Sequence, residues 1–358
     1  MKWKSKEAEF ACCTYATLMT LLPGLVACVL WSGSSSVIIL LNKHLLSVHN
    51  FQAPMVLCSL GMIFSSVATF LLCRVFKVIP TPNLDKMDWG FYCKYILPAG
   101  FAMAGNLAFG NYTFVYLPVT YIQMLKSLAP ACNYVALVLL DMEKISAAMV
   151  SSVTVIVIGT AAASYGETAF NSTGFALYLA AEVCEITRVV IIQIMTQQMT
   201  FSPLEGLYAM APTTVAWLFL GIVVFESRIL VEQNLFAKME ELPLLYLLAA
   251  ALGFLVNVTT WAVIKTTSAL TLKVVGTAKN AATVWFGALI FGNVVTPMQI
   301  WGYGLSLFGF AMYNVAKAMP NFTRDFNEGM LPLVKSSLTG CEPKAVSKEP
   351  PPRIIPIL

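Results

Sequence analysis

Ten apolar stretches, each close to the length of a bilayer crossing, govern what this chain can fold into. A spanning helix needs about 20 predominantly apolar residues. The stretches are 18–41, 51–73, 93–114, 119–140, 145–164, 174–198, 204–225, 243–264, 269–291 and 297–317. Turn formers separate several of them, among them Pro80-Thr81-Pro82-Asn83, Leu117-Pro118, Asn171-Ser172-Thr173, Ser202-Pro203 and Thr296-Pro297. Of the 358 residues 58% are hydrophobic and 11% charged, with mean hydropathy +0.76. Soluble domains carry about 25% charged residues. So little charge cannot cover a water-soluble globule of this size. The expectation is an all-α membrane protein, a single ten-helix domain over 18–317. A cytosolic segment 1–17 precedes it and a disordered, proline-rich cytosolic tail 318–358 follows.

Basic residues set the orientation. Cytosolic loops collect Lys and Arg. Alternate loops, with both termini, hold Lys2, Lys4, Lys6, Arg74, Lys77, Lys86, Lys144, Lys265, Lys317, Arg324, Lys335, Lys344, Lys348 and Arg353, which is 14 residues, against Lys43, Arg228 and Lys238 on the other side. Both termini are therefore expected in the cytosol. A shift of 151 positions carries Asn106 onto Asn257 and Thr120 onto Thr271. That faint repeat divides the domain into 18–164 and 174–317, five spans each. An odd number of spans forces the second half to sit inverted. Inverted repeats place a cargo near the midplane.

Charges inside the spans mark the candidate site. Spans four, six and nine contain Lys126, Arg188, Lys273 and Lys279, with Glu182 and Glu185 as the acids among them, while Lys94 lies at a span's cytosolic edge and snorkels. A lysine in hydrocarbon costs about 2.5–3.5 kcal/mol on insertion scales, and such residues face a protein-lined cavity. Lysine only donates hydrogen bonds, so it requires an acid or an anionic ligand. Lys126 and Lys279 have no acid within helical reach on their own spans and are assigned to an anionic cargo. Arg188 lies three residues from Glu185, a spacing that allows an ion pair instead of cargo contact. Lys273 is near a span end, where it can contact cargo or reach the interface. Tyr121, Gln123, Asn106, Asn257 and Asn280 are placed with them as cargo-binding groups. Amides and hydroxyls suit a sugar, and aromatic faces suit a base. Pro130, four residues after Lys126, is expected to bend span four near the site.

No enzyme motif is present: no glycine-rich phosphate loop, no HExxH and no GxSxG. Two histidines and nine cysteines without a CxxC pair give no metal site and no cofactor. The cysteines read as small buried hydrophobes, with Cys12-Cys13 also able to carry a palmitoyl group. The expected partners are an anionic small molecule and the lipid bilayer, with no nucleic acid; a homodimer stays open.

Tyr121-Ile122-Gln123-Met124-Leu125-Lys126-Ser127-Leu128-Ala129-Pro130 resembles the fourth-span motif of the triose-phosphate translocator and nucleotide-sugar transporter family, within the drug/metabolite transporter superfamily. Thr271-Leu272-Lys273-Val274-Val275-Gly276-Thr277-Ala278-Lys279-Asn280 resembles its ninth-span motif. Glu185-Ile186-Thr187-Arg188 with Gln193 resembles its sixth span, and Thr296-Pro297 through Gly302-Tyr303 to Tyr313-Asn314 its last. The resemblance implies ten helices as two inverted five-helix repeats and antiport of a phosphate-bearing sugar, with Lys126 and Lys279 on the anion. Plastid members follow the ninth-span lysine with arginine, where this chain has Asn280. The N-terminal segment is short and holds Glu7 and Glu9, unlike a transit peptide. Together these predict exchange of a nucleotide sugar for a nucleoside monophosphate across a Golgi or other endomembrane. The alternatives are a sugar-phosphate/phosphate translocator and, in another class, a non-transporting membrane scaffold.

Overall fold

The computed structural model describes residues 2–78, 87–167, 170–199, 203–232, 234–266, 269–292 and 295–318. The predicted tail, beyond Ala318, lies outside them. The described residues are helical, with no strand. In chain order the helices are α1 (Lys2–Lys43), α2 (Pro54–Phe70), α3 (Trp89–Phe91), α4 (Leu97–Tyr116), α5 (Val119–Leu125), α6 (Ala129–Leu139), α7 (Ala147–Tyr165), α8 (Ser172–Gln198), α9 (Pro203–Gly221), α10 (Ser227–Glu232), α11 (Leu235–Glu241), α12 (Pro243–Thr266), α13 (Ala269–Phe291) and α14 (Pro297–Ala318). A helical segment lies in each apolar stretch of the sequence. Six segments, Pro23–Val48, Pro54–Val75, Val119–Leu139, Ala147–Tyr165, Leu204–Glu232 and Pro243–Thr260, are long and apolar enough to cross a membrane. The helices α4, α8, α13 and α14 are not in that set. The helix α1 begins at Lys2, so residues 2–17 are helical and continuous with the helix of the first span.

Two prolines reshape helices locally. Pro98 has no N–H to give the carbonyl of Lys94. The chain before it widens into a π-helical turn, Tyr92–Ile96, in which the Leu97 amide reaches back to the Tyr92 carbonyl. Pro130 likewise leaves the Lys126 carbonyl without its usual donor. Here the turn tightens to 3-10 over Lys126–Leu128, and the Ala129 amide takes that carbonyl instead. The expected bend in span four is thus a break between α5 and α6, opening at Lys126.

The chain forms two compact units, Met1–Val119 with Asn171–Thr283, and Thr120–Phe170 with Val284–Leu358. In the first unit α1 packs on α12, α2 on α9 and α12, and α4 on α8 and α9. Its core includes Cys58, Met62, Ala104, Ala108, Ala211 and Leu218. Glycine permits the closest approaches: a Cβ on Gly105 would sit 2.8 Å from Cys184 Sγ, and one on Gly100 2.7 Å from Thr213 Cγ2.

In the second unit α7 and α14 pair antiparallel along a seam of small residues. A Cβ on Gly159 would lie 2.5 Å from the Ser306 amide nitrogen and 2.7 Å from the Gly302 carbonyl oxygen. A Cβ on Gly309 would lie 2.8 Å from the Ile156 amide nitrogen and 3.1 Å from the Ser152 carbonyl oxygen. Without a hydrophobic drive between helices in lipid, such close backbone contact supplies the packing. Gly159→Ala is expected to lose about 1–3 kcal/mol of stability, because the obstacle is backbone and cannot rotate away. Gly304, which has nothing within 4 Å of its added Cβ, serves as the control. Equal thermal midpoints for Gly159→Ala and Gly304→Ala would contradict the seam.

Candidate functional site

In the second unit, Lys126 opens the 3-10 turn with its side chain partly buried. Gln123, one turn earlier, is fully buried, and neither amide atom has a hydrogen-bond partner among the described residues. Its spacing of three places it on the helix face of Lys126. Tyr121 is fully buried too, and its hydroxyl donates to Ser164 Oγ at 2.7 Å, so it braces α5 against α7. Ser127 Oγ lies 3.4 Å from Thr160 Oγ1, which lies 2.9 Å from Ser306 Oγ. These hydroxyls tie the turn at Lys126 to the α7–α14 seam.

In the first unit, Lys279 on α13 meets α1. Its ammonium donates to Ser35 Oγ at 3.0 Å and sits 5.5 Å from the centre of the Trp31 ring. One turn on, Ser36 Oγ lies 3.2 Å from Thr283 Oγ1. Asn280 is partly buried next to Lys279. The side chain of Lys273 lies outside the described residues.

Arg188 and Glu185 form an ion pair on α8. Arg188 Nε donates to Glu185 Oε2 at 2.9 Å, and Nη2 donates to Oε1. Asn106 on α4 donates its amide to the same carboxylate. The structure therefore gathers Asn106 and Arg188 around Glu185, an arrangement that holds α4 against α8. Asn257 does not join a cluster in this way: its Nδ2 donates to the Gly253 carbonyl of its own helix at 3.0 Å.

Sequence reasoning missed a second polar centre in the first unit. Glu226 is fully buried at the end of a π-helical turn, Ile222–Glu226. Its carboxylate accepts from the amides of Met55 (2.8 Å) and Val56 (3.1 Å), and from the Tyr112 hydroxyl (2.8 Å). Ala53 cannot cap α2, so Glu226 supplies the cap from afar and meets the helix dipole with negative charge. Nearby, the Lys43 ammonium donates to the carbonyls of Phe114 and Leu117, capping the opposite kind of terminus at the end of α4. Asn42 donates to Asn111 Oδ1 at 3.2 Å, and Asn111 Nδ2 lies 2.7 Å from Cys58 Sγ. Glu226 and Lys43 are consumed in holding helix ends, while Asn42, Asn111 and Cys58 link α1, α4 and α2 side chain to side chain.

No group of three or more His, Cys, Asp or Glu able to hold a metal occurs among the described residues. Lys126 in the second unit and Lys279 in the first each lie on an apolar helix with amides and hydroxyls beside them. A chain with several helices long and apolar enough to cross a bilayer is a polytopic membrane protein. Residues 22–314 match the Triose-phosphate Transporter family model, and the chain belongs to that family, whose members are transporters and not enzymes. Among curated proteins it is similar to a probable sugar phosphate/phosphate translocator of Arabidopsis thaliana, 32% identical over 292 residues, covering 80% of this chain and 82% of the relative. Another such translocator of that plant is 30% identical, covering 86% of this chain and 87% of the relative. A GDP-mannose transporter of the same plant is 28% identical, covering 84% of this chain and 87% of the relative.

Proposed function

We propose that this chain is a secondary antiporter of a phosphate-bearing sugar, working by alternating access through ten spans in two inverted five-helix repeats. The observation that carries the cargo class is the placement of Lys126 and Lys279, each on an apolar helix with its side chain only partly exposed. Lys126, Lys279 and Lys273 supply the positive charge; Arg188 is already matched by Glu185. A phosphate gives an embedded ammonium charge-assisted hydrogen bonds that a neutral cargo cannot. A carrier that moves best with that anion bound exchanges one anion for another.

The packing supports the repeat. Counting helices as spans, one lies on eight and six on three, while two pairs with seven and five with ten. Exchanging the halves maps the first pairing onto the second and each of the other two onto itself. The α7–α14 seam has the same reciprocity atom by atom. A shift of 150 carries Ser152 onto Gly302, Ile156 onto Ser306 and Gly159 onto Gly309, and it exchanges the two sets of glycine contacts. An isologous contact of this kind is the mark of a twofold relation.

For the cargo itself, the relatives at 30% identity and above are named for sugar phosphate and phosphate. That supports a sugar phosphate exchanged for phosphate. A nucleotide sugar is the second reading. Asn280 favours it, since it lacks the charged, bidentate fork that an arginine would present to a phosphate, and so does the similarity to a GDP-mannose transporter. Residence in an endomembrane such as the Golgi, with both termini cytosolic, belongs to this proposal. Tags at Met1 and Leu358 should be reached by antibody once the plasma membrane alone is permeabilised; a protected tag refutes the orientation.

Counter-transport separates the cargo readings. Proteoliposomes preloaded with inorganic phosphate, UMP or GMP are offered labelled triose phosphate, UDP-sugars or GDP-sugars. Uptake of a sugar phosphate against phosphate supports the first reading. Uptake of a nucleotide sugar against its nucleotide alone replaces it with the second. No exchange of any pair returns the chain to the scaffold class.

A further inference from the structure

Several of the polar groups near the embedded charges are already engaged. The Tyr121 hydroxyl bonds Ser164, the Asn106 amide bonds Glu185, and the Asn257 amide bonds the Gly253 carbonyl. Gln123 differs from them. Its side chain is 0% exposed, and neither Nε2 nor Oε1 has a hydrogen-bond partner. Among the described residues it is the one side chain with a buried donor and a buried acceptor both left unbonded. Tyr121 fixes where it lies. Residues two apart on a helix are about 200° apart around it, and residues three apart about 300°. With Tyr121 braced on α7, Gln123 therefore lies on the opposite side of α5, within about 60° of Lys126. Tyr121, Gln123, Lys126 and Ser164 belong to one unit, so this geometry is set within it.

An unbonded buried amide weakens the conformation that contains it. Another conformation that supplies a partner offsets the cost, and alternating access uncovers in one state what it buries in the other. The chemistry of that partner follows from the amide itself, in which Nε2 donates and Oε1 accepts. An ionised phosphate oxygen only accepts, so it satisfies half of the group. A sugar hydroxyl both donates and accepts, and two neighbouring hydroxyls satisfy both atoms at once. We propose that Gln123 recognises a hydroxyl of the transported sugar, next to the anion at Lys126. It thereby separates the sugar-bearing cargo from the counter-substrate that lacks this sugar. The proposal rests on the antiporter reading given above and adds to it the residue that discriminates between the two exchanged species.

The test measures KM for both species, and the thermal midpoint of cargo-free protein, in the wild type, Gln123→Met and Gln123→Leu. The cargo is whichever sugar phosphate or nucleotide sugar the wild type exchanges. The counter-substrate, inorganic phosphate or the nucleoside monophosphate, is run in exchange against itself. The ratio of cargo KM to counter-substrate KM should rise about fivefold or more in both variants. The counter-substrate KM should stay within about twofold, because its phosphate contacts are untouched. The thermal midpoint should hold or rise, by about 1–4 °C, since an apolar side chain leaves no polar atom unbonded. A smaller change in the ratio overturns the proposal. So does a midpoint that falls in both variants, which assigns the amide to an internal partner such as a buried water. Methionine keeps the length of glutamine, and leucine provides a second shape if the first packs poorly. A wild type that exchanges nothing refutes the antiporter reading and this inference with it; an active wild type with an unmoved ratio refutes the inference alone.

Discussion

Alanine at Lys279 or at Lys126 is expected to abolish exchange while leaving folded protein in the membrane at near normal level. Truncating one partner of a desolvated charge pair costs about 2–5 kcal/mol of binding, which is roughly 30- to several-thousand-fold in affinity. The ion pair that holds α4 to α8 uses Arg188 and Glu185, and the seam of the second unit uses glycines. Loss of function should therefore come without loss of fold. Exchange in proteoliposomes, normalised to monodisperse protein, decides the matter. Near-wild-type exchange by either variant removes that lysine from the site.

Arg188→Ala is expected to destabilise the first unit by about 3 kcal/mol, at the lower end for a broken buried pair because the partners retain some exposure. The change leaves the Glu185 carboxylate with the Asn106 amide as its remaining hydrogen-bond donor of the present set. Replacing Glu185 as well removes the stranded charge, so Arg188→Ala with Glu185→Ala should recover most of the loss. Thermal unfolding of the two single variants and the double variant measures the coupling. Simple addition of the two losses would mean that the pair contributes little and that Arg188 is free to serve cargo.

The positions of the helices were legible in the sequence because lipid demands long apolar runs, and length alone identifies them. The pair Glu185 and Arg188 was legible for a similar reason: a spacing of three is a local property of a helix. Asn106 joining that pair was not, since it stands 79 positions from Glu185 and only tertiary packing brings it there. Glu226 escaped for a different reason. The apolar run ends at Phe225, so the acid next to it reads as the start of a polar loop. The helix instead continues through a π-helical turn and carries Glu226 inward to the end of α2. Proline near Lys126 signalled a distortion, but its sense depends on which neighbouring amide takes the orphaned carbonyl. Pro98 widened its turn and Pro130 tightened its own. The proposed repeat left only a faint trace at an offset of 151, and the contacts that support it are made by small residues in a packing seam. There backbone geometry, more than side-chain identity, is what must match.

The break in the fourth span also has a mechanical meaning. A gap between two helices is ordinarily a pivot, but this one is moored. Ser127, within the tight turn, reaches Thr160, and Thr160 reaches Ser306 on the far side of the seam. Swinging α5 against α6 would tear that chain of hydroxyls from its anchorage. The discontinuity is a braced elbow, with Lys126 at its crook held to α7 and α14 through Ser127, Thr160 and Ser306. Substituting valine for Thr160, which keeps the shape and deletes the oxygen, would turn the elbow into a loose joint.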